Sequence, residues 1–148
     1  MDRLLDEIES YWSTRTEGYS EVNEKELKGM QKKAWLKTLE SGFLEKKLSD
    51  NDKEQLRILD IGTGPGFFPM ILAEAGYHVT AVDYTPGMLE KAAENAAKFI
   101  GEKSSNIEFK RMDAQALEFE DESFDVIISR NLTWNLPHPD QAYGEWLR

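Results

Sequence analysis

Three glycines stand two apart at Gly62, Gly64 and Gly66, an aspartate lies two residues ahead of them at Asp60, and a second aspartate follows at Asp83. Glycines at this spacing permit positive φ and let a ligand touch bare backbone. A helix that starts just after them adds unpaired N–H donors at the same place. Dinucleotide-binding loops use G-x-G-x-x-G, in which the third glycine lets the helix pack closely above a pyrophosphate. Counted from Gly62, that third position is Phe67, and the spacing here is G-x-G-x-G. A carboxylate at Asp60 would face a pyrophosphate and repel it, and it suits a ligand bearing an ammonium group. Asp83 stands about twenty residues on, where nucleotide-binding α/β folds place the acid that accepts the ribose hydroxyls. It supports an adenosine-containing ligand without choosing between NAD and S-adenosylmethionine. Asp60 and Phe67 favour the latter, which carries an amino acid tail, a sulfonium and no phosphate.

Such a loop works only between a buried strand and a helix. Leu56–Ile61 reads as that strand and Phe67–Ala75 as that helix, ended by Gly76. Tyr77–Val82 is the second strand. Thr85 and Pro86 give an N-cap followed by proline at the first helical position, opening a helix that runs to Ile100 before Gly101. Ile107–Met112 and Phe124–Ser129 are the third and fourth strands. Pro139–Arg148 forms a helix with Ala142, Tyr143, Trp146 and Leu147 inward. Strands alternating with helices of this length imply βαβ units and a parallel sheet. Before residue 51 the pattern is helical. Leu4, Leu5, Ile8 and Trp12 follow helical spacing until Gly18. A second helix is predicted from Asn23, which forms a capping box with Glu26; it carries Leu27, Met30, Ala34, Leu36 and Leu39 and ends at Gly42. The chain divides into an N-terminal helical lid or cap (1–50) and an α/β domain (51–148), joined by the polar run Ser49–Glu54.

The chain has 148 residues, 18 Lys and Arg against 28 Asp and Glu, a net charge of −10 and no cysteine. That charge repels phosphate backbones and argues against a nucleic-acid footprint. No apolar run reaches the ~18–20 residues of a membrane span. Asp2, Asp6, Glu7 and Glu9 are wrong for a signal peptide. The expectation is a cytoplasmic protein acting on a small molecule, without a bound metal. His78 lies at the opening of the second strand, away from the ligand end, and His138 sits between two prolines near the mouth of the site.

Four segments, in order, resemble the class I S-adenosylmethionine-dependent methyltransferases, specifically the UbiE-like small-molecule group. Arg57–Gly66 is similar to the first motif, and Val79–Asp83 with Thr85–Leu89 to the second. Arg111–Leu117 resembles the segment after the third strand, and Phe124–Asn131 the fourth-strand motif. The resemblance covers about residues 56 to 148. It implies a Rossmann-like, doubly wound parallel sheet and methyl transfer from S-adenosylmethionine to a small-molecule acceptor. By position it implies that Asp60, Gly62, Thr63, Gly64 and Gly66 border the methionine part. Asp83 holds the ribose, with Tyr84 and Met88 against adenine. Asp113 accepts the adenine amino group, and the N–H of Ala114 reaches a ring nitrogen. Asn131 or Arg130 offers backbone contacts at the methionine end. Tyr11–Tyr19 resembles the family's lid, with Tyr19 over the cofactor, and Trp134 faces the substrate mouth.

No catalytic residue is assigned, because methyl transfer needs a general base only when the nucleophile starts protonated. Family members continue past Arg148 to complete a seven-stranded sheet, so the chain is expected to be truncated after the fourth strand. The edge bearing Val126, Ile127 and Ile128 would then pair with another copy. Two other readings stay open: a non-catalytic S-adenosylmethionine-binding module, and an NAD(P)-dependent reductase.

Overall fold

Strands β1 (Arg57–Ile61), β2 (His78–Asp83), β3 (Ile107–Arg111) and β4 (Val126–Ser129) form one parallel sheet in the order β3-β2-β1-β4. The computed structural model describes residues 3–16, 21, 25, 31–44, 53, 55–130 and 138–147. Helices α1 (Arg3–Ser13), α2 (Gln31–Leu39), α3 (Phe67–Glu74), α4 (Pro86–Ile100) and α5 (Pro139–Leu147) accompany the sheet. From β1 the chain steps outward through β2 to β3, then returns to place β4 on the other side of β1. The strand order therefore reverses between β1 and β4, and open α/β sheets bind ligands outside the carboxyl ends of the strands at such a point. The glycine loop leaves β1 at this switch point.

Side-chain alternation divides the sheet into two covered faces. Ile58, Val79, Val126 and Ile128 pack with Phe67, Phe68, Ile71 and Leu72 of α3 and with Leu39 and Leu44. Ala81 and Ile107 continue this face against Met70 and Ala73 of α3 and Ala96 of α4. Leu59, Ile61 and Val82 point the other way, toward Ala114, Leu117, Met112, Phe119, Phe124 and Trp146. Helices thus lie on both faces, the doubly wound arrangement.

Helix α3 is buried from Phe67 through Ala73, which explains its all-apolar sequence. Pro69 is tolerated there because the first-turn N–H groups of a helix have no intrahelical acceptor. At its other end the free carbonyls are met by cations and an amide. Lys53 Nζ donates to Ala75 O (3.1 Å), Lys103 Nζ to Glu74 O (2.8 Å) and Asn106 Nδ2 to Ala73 O (3.3 Å). The amino ends of β1 and β4 are locked by one residue pair. Asp125 Oδ2 accepts from the Arg57 N–H (2.9 Å) and Asp125 Oδ1 from Arg57 Nη2 (3.1 Å), while the Asp125 N–H donates to Arg57 O (2.8 Å).

Several local expectations change. Gly42 does not end the second helix, because a π-helical turn, Glu40–Leu44, carries the backbone through it and delivers Leu44 to the core. The fourth strand starts at Val126, since Asp125 is committed to Arg57 and Phe124 packs edge-on against Phe119 (4.8 Å between centroids). Of the four α5 residues expected to face inward only Ala142 and Trp146 do, four residues apart. Tyr143 is 48% exposed and Leu147 88% exposed. The polar run Gly101–Asn106, which has no periodicity to read, is a 3-10 helix. The predicted helix start at Asn23, its capping partner Glu26, and Leu27 and Met30 lie outside the described residues, as does most of the Ser49–Glu54 linker.

Candidate functional site

Past Ile61 the backbone first clings to β2: the N–H groups of Gly62 and Thr63 both donate to Val82 O (2.9 and 3.0 Å). It then rises away from the sheet and re-enters as α3, with Gly66 as the left-handed N-cap residue (φ 93°, ψ 27°). The second and third glycines of the loop serve different ends. A Cβ on Gly66 would lie 3.1 Å from Ala92 Cβ and 3.4 Å from Ala92 Cα, so this glycine is where α3 and α4 close on each other. Among the described residues, a Cβ on Gly64 (φ 56°) would meet nothing within 4 Å, so bare backbone there faces open space. The buried Asn95 of α4 donates to Pro65 O (3.1 Å) and pins the loop between the two.

Both acids emerge on the α3 face, at the carboxyl ends of adjacent strands, where Asp60 pairs in register with Ala81. Asp83 grips the loop: its Oδ2 accepts from the Gly64 N–H and its Oδ1 from the Thr85 N–H, each at 2.9 Å. This ties the acid at the carboxyl end of β2 both to the glycine loop and to the start of α4. Burial pushes the Asp83 carboxyl above its ordinary range despite hydrogen bonds from the Thr85, Gly64 and Tyr84 N–H groups and the Thr85 hydroxyl.

Asp60 is 2% exposed, and its carboxyl is pushed up to about 7 by burial first and by the neighbouring Asp83 charge, with the Thr63 side chain opposing. The Thr63 hydroxyl is itself buried and, among the described residues, has no hydrogen bond of normal geometry. Among the described residues, this buried hydroxyl beside the Asp60 carboxyl has polar capacity left unused.

Of the remaining predicted residues, Tyr84, Met88, Asp113 and Ala114 are described and follow the carboxyl ends of β2 and β3. Tyr84 follows Asp83, with Arg111 stacked 4.9 Å from its ring centroid and donating to its carbonyl (2.9 Å). Met88 is 3% exposed, covered by protein alone. Asp113 opens a turn closed by Ala116 N–H to Asp113 O (3.0 Å), and the backbone reaches it from β3 through Met112, whose N–H donates to Asp83 O (3.1 Å). Ala114 is buried, and its carbonyl accepts from Trp146 Nε1 (2.9 Å). Tyr19, Asn131 and Trp134 lie outside the described residues. His78 stands at the far end of β2 from Asp83, and the His138 side chain is exposed.

Two features had no clear sign in the sequence. Arg130, just past β4, holds its guanidinium 5.0 Å from the Trp35 ring and 5.5 Å from that of Phe67. This joins α2 to the rim of the switch point. The segment 113–117 is held by α5, through contacts that only the folded chain reveals. A cavity of about 360 Å³ on the opposite face is lined by Leu59, Leu117, Phe119, Phe124, Ile127 and Trp146 among others. It includes neither the glycine loop nor the acids and is not this site.

A family model described as a methyltransferase domain matches residues 58–148. An uncharacterized methyltransferase of Mycobacterium avium (strain 104) is 35% identical over 91 residues, which is 62% of this chain and 34% of that protein. A demethylmenaquinone methyltransferase of Clavibacter sepedonicus is 36% identical over 92 residues, 62% of this chain and 36% of that protein. The chain thus spans about a third of the length of these curated relatives. Among solved structures, the YcgJ protein of Bacillus subtilis superposes with a TM-score of 0.59 at 30% identity, over 71% of this chain and 43% of that one. The magnesium protoporphyrin IX methyltransferase of Synechocystis PCC 6803, solved with bound SAH, shares the fold at 22% identity and a TM-score of 0.58, over 75% of this chain and 49% of that one.

Proposed function

Because the chain belongs to the methyltransferase domain family, we propose that it seats S-adenosylmethionine on the loop Asp60–Gly66 and serves methyl transfer to a small-molecule acceptor. One observation carries this reading. A buried acid that a ligand cation would ionise (Asp60) lies beside backbone that is open among the described residues (Gly64) and a second acid that grips the same loop (Asp83). The unsatisfied Thr63 hydroxyl fits a ligand rich in polar groups.

When bound, the cofactor supplies a methyl carbon already activated by its sulfonium. The chain's own part is to bind and align: Asp60 and the loop backbone at the amino acid tail, Asp83 at the ribose, Tyr84 and the 113–114 turn at the base. Methyl transfer of this kind draws on proximity and exclusion of water. Residues 1–50 fit the role of a lid in this reading. In support, Thr16 Oγ1 would sit 3.5 Å from a Cβ on Gly87, at the start of α4. The acidic charge favours a small or cationic acceptor over a nucleic acid. Among the described residues no helix is long and apolar enough to cross a membrane, which accords with action in the cytoplasm. The outer edge of β4, unpaired among the described strands, is the surface on which a second copy would add.

Calorimetric titration with S-adenosylhomocysteine is expected to show binding, and titration with NADH none. NADH binding without an S-adenosylhomocysteine signal would replace this reading by a reductase. Incubation with methyl-labelled cofactor and a metabolite pool then separates an enzyme from a binding module. Asp83→Asn is expected to weaken S-adenosylhomocysteine about tenfold to a hundredfold, the worth of one or two charge-assisted hydrogen bonds. Its amide must also turn an NH₂ toward the N–H of either Gly64 or Thr85. Unchanged affinity in Asp83→Asn would remove the ribose role from this acid.

A further inference from the structure

Between Asp113 and helix α5 lies a buried side chain to which no role has yet been given. Gln115 is 3% exposed. Its backbone N–H donates to Asp113 Oδ1 (2.9 Å), and its side-chain Nε2 donates to Oδ1 (3.1 Å) and more weakly to Oδ2 (3.4 Å). On its other side Oε1 accepts from the His138 N–H (2.6 Å). These partners allow one orientation of the amide, since an N–H can only donate and an ionised carboxylate can only accept. The Gln115 backbone is held as well: its carbonyl accepts from Gln141 Nε2 (3.0 Å) of α5. Two further bonds tie the same segment to that helix, from Leu117 N–H to Glu145 Oε2 (3.1 Å) and from Trp146 Nε1 to Ala114 O (2.9 Å).

Asp113 Oδ1 is thus filled by two donors from Gln115, while among the described residues Oδ2 has only the long one. The carboxylate is turned so that one oxygen is spent on the protein and the other is left for an outside donor. We propose that Gln115 is a positioning residue for base recognition: its amide, anchored on the backbone ahead of α5, fixes the Asp113 carboxylate so that Oδ2 accepts an exocyclic amino group. Gln115 thereby sets how well the site tells adenine from a 6-oxo purine without touching the cofactor. The inference rests on the proposed cofactor reading and goes beyond it, since neither residue type nor spacing assigns this glutamine.

The test compares S-adenosylhomocysteine with its deaminated counterpart, S-inosylhomocysteine, by calorimetry on the full chain. A 6-oxo purine offers no amino group to Oδ2, so wild type is expected to prefer the adenine ligand about tenfold to a hundredfold, the range for a hydrogen bond to a charged group. Gln115→Met keeps length and apolar bulk but neither hydrogen bond. It is expected to cut that preference by about fivefold to tenfold, almost wholly by weakening the adenine ligand. Gln115→Glu has the same shape and sets a carboxylate against Asp113, so it is expected to lose the preference too, and it serves should the methionine variant not fold. Gln141→Ala loosens α5 but leaves the Gln115 side chain in place, and is expected to keep the ratio. Equal weakening of both ligands in the Gln115 variants would make the residue merely structural and overturn the proposal. A wild type that binds both ligands equally would overturn it while leaving the cofactor reading intact. A wild type that binds neither would overturn both.

Discussion

Gly66→Ala is expected to cost the fold about 2–4 kcal/mol, whereas Gly64→Ala, two residues earlier in the same motif, is expected to cost about 1 kcal/mol. Both positions have positive φ, 93° and 56°, so each pays the left-handed penalty of an L-residue. Only Gly66 pays a second time. Its new methyl would press on Ala92 Cβ at 3.1 Å and on the Ala92 backbone at 3.4 Å. Ala92 is fully buried, and Asn95 one turn on is bonded to Pro65, so α4 has little freedom to retreat. At Gly64 the methyl enters open space, and that space is the proposed cofactor seat. The order should invert for binding: Gly64→Ala stays folded but loses most affinity for S-adenosylhomocysteine. Urea unfolding of both variants with calorimetry on each checks this. Equal stability losses, or full affinity in Gly64→Ala, would show that the two glycines do not divide the work in this way.

This division explains why the loop could be read only in part from residue order. Strand β1 and helix α4 were legible because local and tertiary preferences agree there. Ile58, Leu59 and Ile61, interrupted only by Asp60, are apolar and buried on both faces. Proline at the first turn and Gly101 (φ 57°) at the end bracket α4 at the predicted residues. The position of Asp83 at the end of β2 was legible by its distance from the loop, though its bonds to the Gly64 and Thr85 N–H groups were not. The sequence does not show that the third glycine packs a helix while the second faces open space among the described residues. That distinction depends on Ala92, twenty-six residues away and a neighbour only once α3 and α4 meet. Gln115 was illegible for the same reason: its partners at 138 and 141 come more than twenty residues later in the chain, just ahead of α5 and within it. Tyr143 and Leu147 were read as core because helical spacing gives an apolar stripe but not its width.

The buried acid at Asp60 makes the second large expectation one of pH. Its folded carboxyl titrates at about 7, against an ordinary value of 3.8. The folded chain without cofactor therefore holds a proton that the unfolded chain gives up between those values. A group raised in the folded state contributes its full stability below pH 4 and loses it as pH climbs through 7. The gap corresponds to about 4 kcal/mol. Other carboxylates slope their own way, so the informative quantity is the difference between wild type and Asp60→Asn. Urea unfolding from pH 4 to pH 8 is expected to show wild type losing on the order of 4 kcal/mol relative to the variant. Cofactor binding should run the other way. A ligand ammonium or sulfonium favours the ionised acid, so binding expels the proton, and wild-type affinity rises up to about tenfold per pH unit below 7. In calorimetry this appears as a binding enthalpy that changes with the ionisation enthalpy of the buffer, a dependence that Asp60→Asn should lack. Parallel pH profiles for wild type and Asp60→Asn, in stability and in binding alike, would show that this carboxyl is ionised throughout. If the profiles diverge as expected, the acid weakens the empty fold at neutral pH and regains that cost only when a cation sits on it. A group needed only for packing would be better replaced by an apolar one.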